Sequence, residues 1–258
     1  MRYKEDSKIM YENIIIFVIV GFIAQIIDGA LGMAYGVSST TFLLSIGLPP
    51  ATASASVHMA EIFTTGVSGV SHFKLGNVDK KLFVKLLIPG VIGGALGAYI
   101  LTATPGEMIK PFIAFYLFIM GIIILRKAFK KIQEKNVRTK LFPLGLIGGF
   151  FDAIGGGGWG PIVTSTLVAR GKHPRFTIGS VSLTEFFVTI TVTATFLATI
   201  GLVYWQAIVG LIVGGVLAAP LAAYVCKRLS PQTLMKMVGT LIIVLSIRTI
   251  LLSWGLMG

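Results

Sequence analysis

The chain is 258 residues long, 55% hydrophobic and 12% charged, with a mean hydropathy of +0.88. A water-soluble domain of this length needs more charge to cover its surface, so a soluble fold is excluded. The net charge of +12 falls in short gaps between apolar segments, which argues against nucleic acid, and the single Cys226 excludes an internal disulfide or a thiolate metal cluster.

In chain order, residues 1–13 mix Arg2, Lys4 and Lys8 with Glu5, Asp6 and Glu12 and lack a small-residue cleavage site, so no cleaved signal peptide is expected. Five helical segments follow, at roughly 13–28, 34–47, 51–74, 82–102 and 107–128. A basic linker over 126–140 leads to five more, at roughly 141–154, 159–170, 174–199, 204–226 and 231–254. The first two segments on each side are short. Fourteen to sixteen helical residues reach only about 21–24 Å, below the roughly 30 Å of a bilayer core. Such pairs are expected to be broken or re-entrant hairpins, with two tilted short spans as the alternative.

The two sets are copies of one another. At an offset of 124 residues, Asp28–Gly36 lies over Asp152–Gly160, Thr40 over Thr164, Pro50 over Pro174, Ser56-Val57 over Ser180-Val181, and Glu61 over Glu185. Residues 1–125 therefore form a first transmembrane repeat, 126–140 a cytoplasmic linker and 141–258 a second repeat, all within one integral membrane domain. The basic residues set the topology. Lys74, Lys80, Lys81 and Lys85 occupy one gap, and the linker carries seven more. Arg170, Lys172 and Arg175 occupy a third, and Lys227, Arg228 and Lys236 a fourth. Basic loops lie in the cytoplasm, which puts both termini outside. The gap between segments two and three is uncharged in the first repeat but basic in the second, and the next gap swaps the other way. The repeats therefore sit in opposite orientations, the architecture with which many secondary transporters obtain alternating access.

Candidate chemistry concentrates at two glycine-rich breaks, 28–41 and 152–166. Glycine lets backbone leave the helix and approach a ligand, and a bilayer tolerates such backbone only inside protein or beside a water-filled cavity. Each break opens a helix, whose free N–H groups favour an anion. The expected substrate-binding residues are Gly36, Ser38, Ser39 and Thr40 from the first break, and Gly157, Gly158, Trp159, Gly160, Thr164 and Ser165 from the second, with Thr166 adding a hydroxyl and Tyr35 aligned with Trp159. The alternative for glycines is tight helix packing, the reading given to Gly93-Gly94-Ala95-Leu96-Gly97 and Gly214-Gly215. Glu61 and Glu185 sit inside the long third segments, where a charge is costly and marks substrate contact or proton coupling. His58 lies on the same polar stripe as Ser54, Glu61 and Thr65, as a proton relay or an ordinary interior histidine. Asp28 and Asp152 either accept hydrogen bonds from the freed backbone or take part in coupling. No GxxxxGK[ST] loop or HExxH is present, and three histidines make no metal cluster, so no metal, cofactor or enzymatic activity is expected.

The Asp28–Gly36 break, the Pro49-Pro50 gap leading into Ala51–Glu61, the Gly156–Pro161 stretch and the basic linker together resemble the TauE/SafE family of sulfite exporters, over essentially the full chain. The first break departs from the pattern in reading Leu-Gly-Met-Ala-Tyr-Gly instead of a run of glycines. The resemblance implies transport of a small anion (sulfite, thiosulfate or an organosulfonate) across a prokaryotic plasma membrane. The reading is an all-α polytopic protein of two inverted repeats, with a small anion, protons and the lipid bilayer as partners and no nucleic acid. A cation carrier using Asp28, Glu61, Asp152 and Glu185 is the alternative within transport, and a membrane-embedded enzyme or sensor the alternative outside it. The sequence does not distinguish monomer from oligomer.

Overall fold

The computed structural model describes residues 14–31, 33–129, 139–201, 204–228 and 231–255. The N-terminal residues and most of the basic linker, on which part of the charge argument rests, lie outside the described residues. The described chain is helical throughout: α1 (Ile14–Leu31), α2 (Tyr35–Ser45), α3 (Pro50–Lys74), α4 (Lys80–Ala103) and α5 (Gly106–Lys127), then α6 (Leu141–Gly155). A single π-helical turn, Gly160–Thr164, runs into α7 (Ser165–Ala169), followed by α8 (Pro174–Ile200), α9 (Trp205–Arg228) and α10 (Pro231–Ser253). Local sequence explains the starts. Pro50 and Pro174 open their helices where a missing N–H costs nothing. The Asp79 carboxylate caps α4 by accepting from the N–H groups of Lys81 at 2.9 Å and Leu82 at 3.2 Å.

Among the described residues, four helices are long and apolar enough to cross a membrane: Lys80–Ala103, Gly106–Lys127, Arg175–Ile200 and Met235–Ser253. Their outward faces are apolar, with Ile88, Leu96 and Tyr99 on α4, Phe112 and Phe115 on α5, and Met237, Leu241 and Val244 on α10 all exposed. A water-facing surface of this kind would aggregate, whereas lipid covers it at no cost. The chain is thus an all-α membrane protein.

The most extensive helix pairings recur when α1–α5 are exchanged with α6–α10. α1 packs on α9 as α6 packs on α4, α3 packs on α9 as α8 packs on α4, and the pairs α3–α8 and α5–α10 map onto themselves. The matched crossings use glycine in the same way. A Cβ on Gly93 would lie 2.1 Å from the Leu146 carbonyl, and one on Gly214 2.0 Å from the Val18 carbonyl. Backbone thus touches backbone at both crossings, as small residues allow in a bilayer where packing replaces the hydrophobic drive. Behind them, Gly90 abuts Trp159 and Val188 while Gly215 abuts Tyr35 and Thr64, the same positions at an offset of 124 or 125.

Candidate functional site

The site forms where the two breaks meet. Helix α1 ends at Leu31 and α2 restarts at Tyr35 through Ala34, which takes a left-handed φ of 93°. Helix α6 ends in Gly156 at φ 61° and Gly157 at φ 149°. These positive angles turn the chain sharply, and glycine supplies them without strain in the second break only. The breaks are in backbone contact. A Cβ on Gly157 would lie 2.2 Å from Val37 N, and one on Gly36 2.7 Å from the Gly157 Cα. Thr40 Oγ1 donates to the Gly156 carbonyl at 2.6 Å, and the Tyr116 hydroxyl on α5 donates to the Gly157 carbonyl at 3.2 Å, so two helices of the first half grip the second break.

At this junction lies a cavity with about 20 Å³ open to the centre of a water molecule, where one water needs roughly 10–15 Å³. Its wall carries matched residues of the two halves, Asp28 with Asp152, Glu61 with Glu185, Ala34 with Gly158 and Gly36 with Gly160, together with Thr64, Thr65, Gly157 and Pro161. The two aspartates do the same thing. Asp28 Oδ1 accepts from the Tyr35 N–H at 3.3 Å, and Asp152 Oδ1 from the Trp159 N–H at 2.9 Å. Each carboxylate thus takes an N–H group at the start of the following helix, groups a helix leaves unbonded. Glu61 Oε1 lies against Gly36, 2.8 Å from where a Cβ would stand, and Glu61 Oε2 is buried with no partner. A buried polar atom left unsatisfied is costly, so this oxygen is poised to meet a proton or a ligand.

Of the residues singled out in the sequence, Gly36, Gly157, Gly158, Gly160, Asp28, Asp152, Glu61 and Glu185 come together at the cavity. The serines and threonines of the two breaks do not line it. Thr40 is committed to Gly156, the Ser38 and Ser39 hydroxyls are buried without partners, and Thr164 is buried within the π-turn. Ser165 receives the Lys127 Nζ, which also reaches the Pro161 carbonyl at 3.2 Å. Trp159 is fully buried and donates from Nε1 to the Val181 carbonyl at 3.2 Å. His58 sits behind the cavity, its Nε2 3.2 Å from Asp152 Oδ2. Sequence reasoning missed Tyr116 and Lys127. A tyrosine within the apolar Phe112–Leu125 run was the available signal for the first. Lys127 is indistinguishable in sequence from its solvated linker neighbours.

Sequence comparison agrees with this architecture. The model of the family described as "Sulfite exporter TauE/SafE" matches residues 17–249. "Probable membrane transporter protein YtnM" of Bacillus subtilis (strain 168) is 45% identical over 253 residues, covering 94% of this chain and 84% of that protein. "Probable membrane transporter protein ORF9" of Sinorhizobium sp. is 26% identical over 246 residues, covering 89% of this chain and 87% of its own. A "Probable membrane transporter protein" of Haemophilus influenzae is 25% identical over 267 residues, covering 94% of this chain and all of its own. No solved structure matches the chain.

Proposed function

Because the chain belongs to the TauE/SafE family, we propose that it is a secondary transporter of a small sulfur-containing anion: sulfite, thiosulfate or an organosulfonate. The observation that carries this reading is the cavity at which both backbone breaks and the matched acids of the two halves converge. Solute moves by alternating access, residues 1–125 and 141–258 rocking as inverted repeats about that cavity in a prokaryotic plasma membrane, with basic loops cytoplasmic and both termini outside. The recurrence of the most extensive helix pairings in the two halves and the swapped loop charges support the inverted arrangement. The chain carries no enzymatic chemistry in this account.

Backbone at Gly36, Gly157, Gly158 and Gly160 lies nearest the solute. Hydroxyls from Ser38, Ser39, Thr40, Thr164 and Ser165 and the Trp159 ring support the surrounding wall. Glu61 and Glu185 couple transport to protons. Ionised, they repel an anion; protonated, they lose that repulsion and gain an O–H that donates to it. The reading is tested by ligand-induced stabilisation of the purified protein. Sulfite, thiosulfate or a small sulfonate is expected to raise its melting temperature at acidic pH, the shift fading as pH rises.

A cation carrier is favoured by one observation, four carboxyls around a cavity of about 20 Å³, the scale of a bare ion or a water. Stabilisation by a metal ion, with no response to sulfur oxyanions, would select it.

A further inference from the structure

His58 of α3 and Asp152 of α6 come from opposite halves of the chain and are both buried. Their hydrogen bonds fix where protons must be. His58 Nδ1 lies 2.8 Å from the Ser54 carbonyl, which can only accept, so Nδ1 carries a hydrogen. The Ser54 hydroxyl donates to the Ala153 carbonyl at 2.6 Å, which leaves its lone pair facing Nδ1 at 3.3 Å. Nε2 is then the remaining ring nitrogen, and it lies 3.2 Å from Asp152 Oδ2. A nitrogen lone pair and a carboxylate oxygen repel, so the contact needs a proton between them, on Nε2 as imidazolium or on Oδ2 as a carboxylic acid. Either way the pair holds one proton more than a neutral imidazole and a carboxylate, and its net charge is zero.

The second half does not repeat this arrangement. The positions matching His58 and Asp152 are Ser182 and Asp28, and α8 does not pack on α1 as α3 packs on α6. Of the two equivalent cross-half positions, only one pairs an imidazole with a carboxyl. Apart from Lys127 of α5, which reaches the carbonyl of the cavity-lining Pro161, its surroundings are acidic or neutral. Glu61 follows one turn along α3, α8 brings Glu185 and the Phe196 ring 6.2 Å away, and Asp28 lies across the cavity. Tyr35 comes from α2 and Tyr116 from α5, while no described residue of α4 or α9 lines the cavity.

We propose that the His58–Asp152 contact binds one coupling proton, beside those that Glu61 and Glu185 take up, and that it closes across the two halves only when that proton is bound. This rests on the transporter reading above. Movement of one half against the other parts the ring from the carboxylate, and the separated groups, reached by water, release the proton. By linkage, a proton that stabilises the closed contact is taken up when the contact forms. Low pH therefore favours the closed contact, and rising pH opens it.

Asp152→Asn is the informative variant. The amide Oδ1 still accepts from the Trp159 N–H, and Nδ2 donates to His58 Nε2 with no added proton. His58→Gln is the second variant, keeping a polar side chain that does not titrate. The first readout needs no substrate: 15N spectra of histidine-labelled protein in lipid nanodiscs across pH. The chain has three histidines, so each ring can be assigned. We expect the His58 ring to keep Nδ1–H while its Nε2 signal shifts as the shared proton is lost, and Asp152→Asn to abolish that shift. An Nε2 titration unchanged in Asp152→Asn overturns the proposal. The second readout is labelled sulfite in proteoliposomes, comparing counterflow with accumulation driven by a one-unit pH gradient. Both variants should lower accumulation several-fold below the wild-type ratio, measured against each variant's own counterflow. Accumulation at the wild-type ratio in either variant also overturns it. Absence of wild-type counterflow for sulfite, thiosulfate and a sulfonate would sink the transporter reading instead, and the spectra would still decide the proton site.

Discussion

Two residues carry most of the site's geometry, Gly157 and Glu61. At Gly157 a side chain is refused twice, by φ of 149° and by Val37 N at 2.2 Å from where a Cβ would stand. Backbone cannot swing aside as a flexible side chain can, so Gly157→Ala should destabilise by about 2–4 kcal/mol. Gly76 is the control, with φ of 68° and open space around its Cβ position. Gly76→Ala should cost only about 1–2 kcal/mol. Thermal unfolding of the two variants in detergent makes the comparison, and equal losses would contradict the backbone contact. Glu61 offers its unpartnered Oε2 to the cavity. Glutamine imitates the protonated acid, so in Glu61→Gln and Glu185→Gln anion affinity should stay near its acidic-pH level as pH rises, while wild-type affinity falls. Titrations of sulfite binding at several pH values check this, and a pH dependence intact in both variants would remove these acids from coupling.

At the scale of helices, the matched crossings of α4 with α6 and α1 with α9 make a symmetric prediction. Gly93→Val and Gly214→Val each drive a side chain into a facing carbonyl, at 2.1 Å and 2.0 Å from the Cβ position. Both should lower the melting temperature by similar amounts, about 1–3 kcal/mol or more of overpacking. A loss confined to one half would mean that the crossings are not equivalent. Helix extents were legible in the sequence, because apolar runs, opening prolines and glycine breaks are local signals. The pairing of Asp28 with Asp152 and Glu61 with Glu185 was legible as well, through the constant offset. The facing of α2 was not. Nine of its eleven residues, Gly36, Ser39 and Thr40 among them, are buried, so no polar stripe marks the side that meets the cavity. That is why the hydroxyls looked like ligand donors although Thr40 is spent on Gly156. His58 was visible as a polar residue in an apolar helix, but its partner Asp152 is 94 residues away and only tertiary structure brings them together.

For the molecule as a whole, inverted repeats require that equivalent loops open on opposite sides of the membrane. Glu107 and Gln232 sit at matching positions, after α4 and after α9, and both are exposed. In a Cys226→Ser background, Glu107→Cys should react with an impermeant thiol reagent applied to intact cells, while Gln232→Cys should react only after lysis. Labelling of both from one side would contradict the inverted arrangement. The acids at the cavity give the transport cycle its sign. In the proposed cycle protons accompany an anion into a site ringed by carboxyls, so inward-directed proton gradients should drive the solute in the same direction. The most direct test is flux of labelled sulfite, thiosulfate and a small sulfonate into proteoliposomes, with and without a pH gradient. The account predicts saturable uptake of at least one of these anions, accelerated when the outside is more acidic. Uptake that ignores all three, or that is indifferent to the gradient in folded protein, would contradict it.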